Sequence, residues 1–93
     1  MSEFRIFETN EFTKKLDKLP KSESGFLRRK LDSYVYPQIS SEPFYGKNIK
    51  KLRGYSPETW RYRIGSYRVF YVVDISERVV YMLTIDARKD AYR

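Results

Sequence analysis

A chain of 93 residues forms one domain, here spanning 1–93, and a domain this small buries only about 60 to 65% of the surface its unfolded form exposes. Hydrophobic residues at 41% and aromatics at 17%, with nine tyrosines, exclude a disordered chain. Cys and His are both absent and the net charge is +7, so disulfides, thiolate nucleophiles and imidazole or thiolate metal sites are excluded; any catalysis falls to Arg, Lys, Tyr or carboxylates.

No apolar run exceeds five residues, the length of Val69 to Val73, far short of the roughly 20 a membrane span requires. The opening "MSEFRIFETNEF" lacks the basic and apolar regions of a secretion signal. The expectation is a soluble cytoplasmic protein with no membrane partner and no cofactor or metal.

In chain order, "EFRIFET" alternates Phe4 and Ile6 against Arg5 and Phe7, as a strand does. Asn10 or Thr9 then caps a helix carrying Phe12, Leu16 and Leu19 on one face and lysines on the other, stopped by Pro20. A second helix, capped near Ser22 or Ser24, presents Leu27, Leu31, Tyr34 and Val35 as its apolar stripe and ends at Pro37. "SSEPFYGKN" has turn composition, and "IKKLRGYSPET" is a short basic strand broken by Gly54 and Pro57. Two hairpins follow: Trp60 to Ile64 with Tyr67 to Val73, then Val73 back to Val79 to Ile85 through "DISER". The fold class is α+β, with two N-terminal helices covering one face of a small, twisted, mainly antiparallel sheet.

The first hairpin, "WRYRIGSYRVFYVVD", poses the functional question. A two-residue Gly65-Ser66 turn sets Ile64 opposite Tyr67, Arg63 opposite Arg68, Tyr62 opposite Val69 and Arg61 opposite Phe70. Arg61, Arg63 and Arg68 then share one face, while Trp60, Tyr62, Ile64, Tyr67, Val69 and Tyr71 share the other and face the core. Two guanidinium groups about 5.5 Å apart repel by roughly 0.8 kcal/mol in bulk water and roughly 3 kcal/mol at an effective dielectric of 20. A bound anion would relieve that repulsion, and guanidinium forks suit phosphate. Each arginine alone reads as a solvated surface charge. Three converging beside "KNIKKLR" point to an anion site, because Lys47 to Arg68 carries seven basic residues against the single acid Glu58.

The run "KKLRGYSPETWRYRIGSYRVFYVVD", the following "VVYMLTIDARKDAYR" and the N-terminal "F...F.K.L.KLP" helix resemble toxins of the RelE/ParE superfamily of type II toxin–antitoxin modules, RelE-like branch. The resemblance covers nearly the whole chain. It implies a RelE-like fold and a ribosome-dependent, metal-independent mRNA endoribonuclease: the ribose 2′-hydroxyl attacks the adjacent phosphate in the ribosomal A site, giving a 2′,3′-cyclic phosphate and a free 5′-hydroxyl. Carried over by position, Arg61, Arg63, Arg68, Arg88 and Tyr92 surround the scissile phosphate. Arg63, Arg68 and Arg88 would brace the phosphorane, Arg61 would protonate or neutralise the leaving 5′-oxygen, and Tyr92 would be the general base, its phenolate stabilised by the guanidinium groups. Many relatives carry a His where this chain has Ala87, and an Asp where it has Ser66.

On the same implication Lys47, Lys50, Lys51 and Arg53 would contact ribosomal RNA phosphate rather than do chemistry, and Phe70, opposite Arg61 on the basic face, is the candidate to stack on a base. Structural readings stand beside these: Tyr92 as an aromatic packed on the sheet, and Arg88 paired with Asp86 or Asp90. The implied partners are a cognate antitoxin presenting a helix or an acidic segment, the ribosome, and mRNA in the A site. The free toxin is expected to be monomeric. Two other functions share the resemblance: a ParE-like toxin that inhibits DNA gyrase without nuclease activity, and a degenerate toxin that serves only as a co-repressor with its antitoxin.

Overall fold

The computed structural model describes residues 3–86. Its elements run β1 (Arg5–Glu8), α1 (Asn10–Lys18), α2 (Lys21–Lys30), a π-helical turn (Leu31–Val35), α3 (Tyr36–Ser41), β2 (Ile49–Lys51), β3 (Trp60–Ile64), β4 (Tyr67–Asp74) and β5 (Val79–Asp86). The strands form one sheet in the order β1-β5-β4-β3-β2, antiparallel except for the parallel β1–β5 pair. The architecture is α+β with a five-stranded, mostly antiparallel sheet.

Local chemistry explains the helix ends. Thr9 is the N-cap of α1: its hydroxyl accepts from the Phe12 backbone N–H at 3.3 Å and donates to the Leu83 carbonyl at 3.0 Å, tying the helix start to β5. Phe12 and Leu16 are buried and Leu19 packs against the core, as their spacing predicts. The helix closes at Lys18 just before Pro20.

The second helix departs from expectation in three ways. Its N-cap is Pro20, with no side-chain cap; Ser24 instead donates to the Lys21 carbonyl. Pro37 does not end it, because the chain widens into the π-turn Leu31–Val35 and Pro37 enters the first turn of α3, where a missing backbone N–H interrupts no intrahelical bond. Tyr34 does not belong to the apolar stripe. It is 61% exposed, while Leu27, Leu31 and Val35 are buried.

The core unites Phe12, Leu16, Leu27, Leu31, Val35 and Ile39 from the helical segments with Tyr62, Ile64, Tyr67, Val69, Tyr71, Val80, Met82 and Ile85 from the strands. The strand members share one sheet face by register. Their polar tips are satisfied: Tyr62 donates to Gln38 Oε1 at 2.6 Å, Tyr71 to the Pro43 carbonyl at 2.6 Å, and Tyr67 to Glu23. At the β1 end of this face Glu8 receives two bonds from Arg28, at 2.8 and 3.1 Å, and one from Tyr36 at 2.5 Å.

Both hairpins form where the sequence sets them. Gly65 adopts φ 61°, the left-handed conformation a tight two-residue turn demands. In the second turn Arg78, at φ 58°, takes the same conformation without being glycine; its guanidinium lies 4.1 Å from the centre of the Phe4 ring.

Candidate nucleic-acid interface

The register of β3 on β4 is the one the Gly65-Ser66 turn predicts: Arg61 opposite Phe70, Tyr62 opposite Val69, Arg63 opposite Arg68 and Ile64 opposite Tyr67. Tyr62, Ile64, Tyr67 and Val69 are buried, so the alternate positions Arg61, Arg63, Arg68 and Phe70 occupy the other face. Pairings on either side extend this into rows. Lys50 opposes Arg61, and Thr84 opposes Phe70, giving the row Lys50, Arg61, Phe70, Thr84. The next row is Arg63, Arg68, Asp86. Neighbouring strands lie about 4.8 Å apart and alternate residues on a strand about 6.8 Å apart, so four cations and one aromatic ring share a patch a few strands wide.

The Arg63–Arg68 contact is of the closer kind. The Arg63 backbone N–H donates away from β4, to the Asn48 carbonyl at 3.0 Å. The pair is therefore a non-hydrogen-bonded one, with Cα atoms about 4.5 Å apart and side chains pressed together. Arg63 is exposed, whereas Arg61, Arg68 and Phe70 are half-buried.

The structure divides the other expected binding residues. Lys50 joins the arginine face. Lys51 opposes Trp60 and takes the opposite face, its ammonium 3.0 Å from Glu58. Register therefore separates two lysines that composition alone treats alike. Lys47 and Arg53 are exposed just before and after β2. Arg88 and Tyr92 lie outside the described residues.

Three residues on or beside this face, Asp86, Lys15 and Lys18, have no nucleic-acid role in the sequence reading. Asp86 is the cross-strand neighbour of Arg68, and Arg61, Arg68 and Asp86 each engage a neighbour within the fold. One carboxylate against four cations leaves the patch strongly basic. Lys15 and Lys18 of α1 line a groove with Leu19, Phe70, Thr84, Ile85 and Asp86, bringing a second basic stretch to the edge of the same surface. Their sequence signal was weak: Glu11 and Asp17 offset the local charge of α1, and only the i, i+3 spacing of the two lysines beside the buried face hints at a directed stripe.

The tyrosines that the fold buries are ill suited to removing a proton. Burial pushes the Tyr36, Tyr62 and Tyr71 hydroxyls up, and the hydrogen bond to Glu8 raises Tyr36 further. The face itself can bind a polyanion and stabilise charge developing on a phosphoryl group.

The ParE toxin family of type II toxin–antitoxin systems, parDE, has a model that matches residues 6–92. The chain belongs to the RelE/ParE toxin family. A Methanocaldococcus jannaschii protein named for the toxin RelE1 is 35% identical over 80 residues, covering 86% of this chain and 84% of the relative. The archaeal RelE–RelB complex from Pyrococcus horikoshii contains a chain that superposes with a TM-score of 0.72 at 28% identity, covering 96% of this chain and 99% of that one. The RelBE2 toxin–antitoxin complex from Mycobacterium tuberculosis gives a TM-score of 0.73 at 26% identity and 97% of each chain. The fold of this family member is RelE-like, and it is a RelE-like toxin of the type II class. Among the described residues no helix is long and apolar enough to cross a membrane.

Proposed function

We propose that this toxin is a ribosome-dependent, metal-independent endoribonuclease that cleaves mRNA in the ribosomal A site and works in the cytoplasm. The observation that carries the reading is the register that sets Arg61, Arg63 and Arg68, with Lys50, on the sheet face opposite the core. A phosphate between Arg63 and Arg68 relieves their repulsion, and the relief grows as the phosphorane accumulates charge.

In the proposed reaction the 2′-oxygen forms a bond to phosphorus as its proton passes to Tyr92. The bond from phosphorus to the 5′-oxygen breaks, and Arg61 protonates or neutralises that oxygen. Arg63, Arg68 and Arg88 hold the non-bridging oxygens. The products are a 2′,3′-cyclic phosphate and a 5′-hydroxyl. Lys47, Lys50 and Arg53 contact RNA phosphates, and an antitoxin with an acidic or helical segment covers the basic surface, as RelB partners the toxins of the solved complexes.

Primer extension on programmed ribosomes tests the reading. Wild type yields a defined stop within the A-site codon; a chain combining Arg63→Ala, Arg68→Ala and Tyr92→Phe yields none. Equal cleavage by the two proteins removes the mechanism.

A second reading, inhibition of DNA gyrase without nuclease activity, draws on the ParE name of the matching family model and on Asp86 beside Arg68, which offsets part of the positive face. Loss of supercoiling by purified gyrase, with intact mRNA on ribosomes, would favour it.

A further inference from the structure

The open groove between α1 and the sheet extends the basic face in a direction the arginines alone do not define. It encloses about 560 Å³, within the range of ligand sites. It is lined by the apolar side chains of Phe70, Leu19 and Ile85 and by Lys15, Lys18, Thr84 and Asp86. Phe70 therefore does two things. It stands in the row of Lys50 and Arg61, one strand spacing from Arg61 and about 6.8 Å along β4 from Arg68, and it also lines the groove.

On α1, Glu11, Lys15 and Lys18 recur at i, i+4 and i+7 as one stripe. Glu11 closes the stripe at one end, 3.4 Å from Lys15 and beside the Thr84 hydroxyl, both of which hold its carboxyl below the usual carboxylate range. Lys18 stands at the other end.

We infer that this groove is a nucleobase subsite: a base adjoining the phosphate held by Arg63 and Arg68 leaves its stack, lies against the Phe70 ring, and its backbone passes Lys18. The occupant is single-stranded RNA. An aromatic ring among apolar side chains, two lysines lining the same groove, and direct continuity with a guanidinium row are what an unstacked base and its phosphate require. A purely apolar peptide would leave Lys18 without a matching anion. Asp86 gives the subsite a preference as well. Its carboxylate accepts from an exocyclic amino group, so adenine, cytosine and guanine fit better than uracil, which has none.

This inference rests on the nuclease reading, and the test separates the two. Programmed ribosomes carry mRNAs with an abasic residue on either the 5′ or the 3′ side of the cleaved bond, and kcat/KM is measured for wild type, Phe70→Leu, Phe70→Tyr and Lys18→Ala. Base–aromatic stacking corresponds to a loss of roughly 5- to 150-fold. Wild type is expected to lose that factor on one of the two abasic mRNAs and not on the other. Phe70→Leu is expected to lose it on the intact mRNA with no further loss on the abasic one, and Phe70→Tyr to restore it. Lys18→Ala, an exposed change that spares the fold, should lower kcat/KM at low salt and flatten its salt dependence. Cleavage insensitive to both abasic residues, or abasic and Phe70→Leu losses that multiply, overturns the subsite while leaving the nuclease standing. Absence of cleavage by wild type overturns both.

Discussion

Replacing Arg63 by Gln should stabilise the unliganded protein while abolishing its activity. The non-hydrogen-bonded register holds Arg63 against Arg68, and unit charges at that pair's spacing of about 4.5 Å repel by roughly 0.9 kcal/mol in water and roughly 3.7 kcal/mol at an effective dielectric of 20. Arg63 is exposed, so the lower figure governs, and at 0.15 M salt a Debye length of about 8 Å roughly halves it. Asp86 on the far side of Arg68 offsets part of what remains. The net gain from Arg63→Gln is then about 0.5 kcal/mol at low salt, a rise of about 2 to 4 °C in a domain of this size. Calorimetric melts at 10 mM and 1 M salt measure it, since the higher concentration shortens the Debye length to about 3 Å and should erase the difference. On ribosomes the same variant should cleave about 100- to 1000-fold more slowly. A variant that melts below wild type at 10 mM, or a shift that persists in 1 M salt, would refute the claim that the pair is strained by like charge.

Other substitutions probe the frame and the surface. In Glu8, burial pushes the carboxyl up, but hydrogen bonds from Arg28 and Tyr36 and the Arg28 charge outweigh it and hold the group below its usual value of 4.5. A depressed folded pKa means this stabilisation is present above about 4.5 and fades as pH falls through the folded value; Glu8→Gln should cost about 1 to 3 kcal/mol at pH 7 and flatten the acid limb of a denaturation-versus-pH curve. Gly65→Ala meets no atom within 4 Å but keeps φ 61°, so urea titration should find a loss of about 1 to 2 kcal/mol from backbone strain alone. Gly46→Ala would press its Cβ onto Gln38 Nε2, disturbing the acceptor of the Tyr62 hydroxyl, and should lower the urea midpoint. Lys50→Ala should reduce the salt slope of ribosome binding by about one unit, whereas Lys51→Ala, on the opposite face beside Glu58, should leave it unchanged.

The hairpin was legible because a single local feature decides it: a Gly-Ser pair between alternating runs fixes register, and register fixes which residues share a face. The same reasoning located the core tyrosines. What sequence could not show depended on distant partners. The π-turn at Leu31–Val35 carries no local breaker, so Pro37 read as a stop when it begins another helical turn, and Tyr34 read as core when the extra residue rotates it outward. Lys50 and Lys51 differ only through the pairing of β2 on β3. Lys15 and Lys18 reach the basic face through the docking of α1 against β5, whose residues are some 70 positions away in sequence and invisible to any window of periodicity, and Asp86 reaches it through a β4–β5 register shifted by an irregularity at Phe70/Tyr71.

The placement of β5 between β1 and β4 also sets an order of events during synthesis. Arg5 pairs with Val79, 74 residues later, so the first strand has no neighbour in the sheet until the last described strand emerges. At about 5 to 20 residues per second, β1 waits roughly 4 to 15 s for its partner, and the arginine hairpin, complete at Asp74, precedes that partner by only about 1 s or less. The toxin's sheet is therefore complete only once β5 has been made.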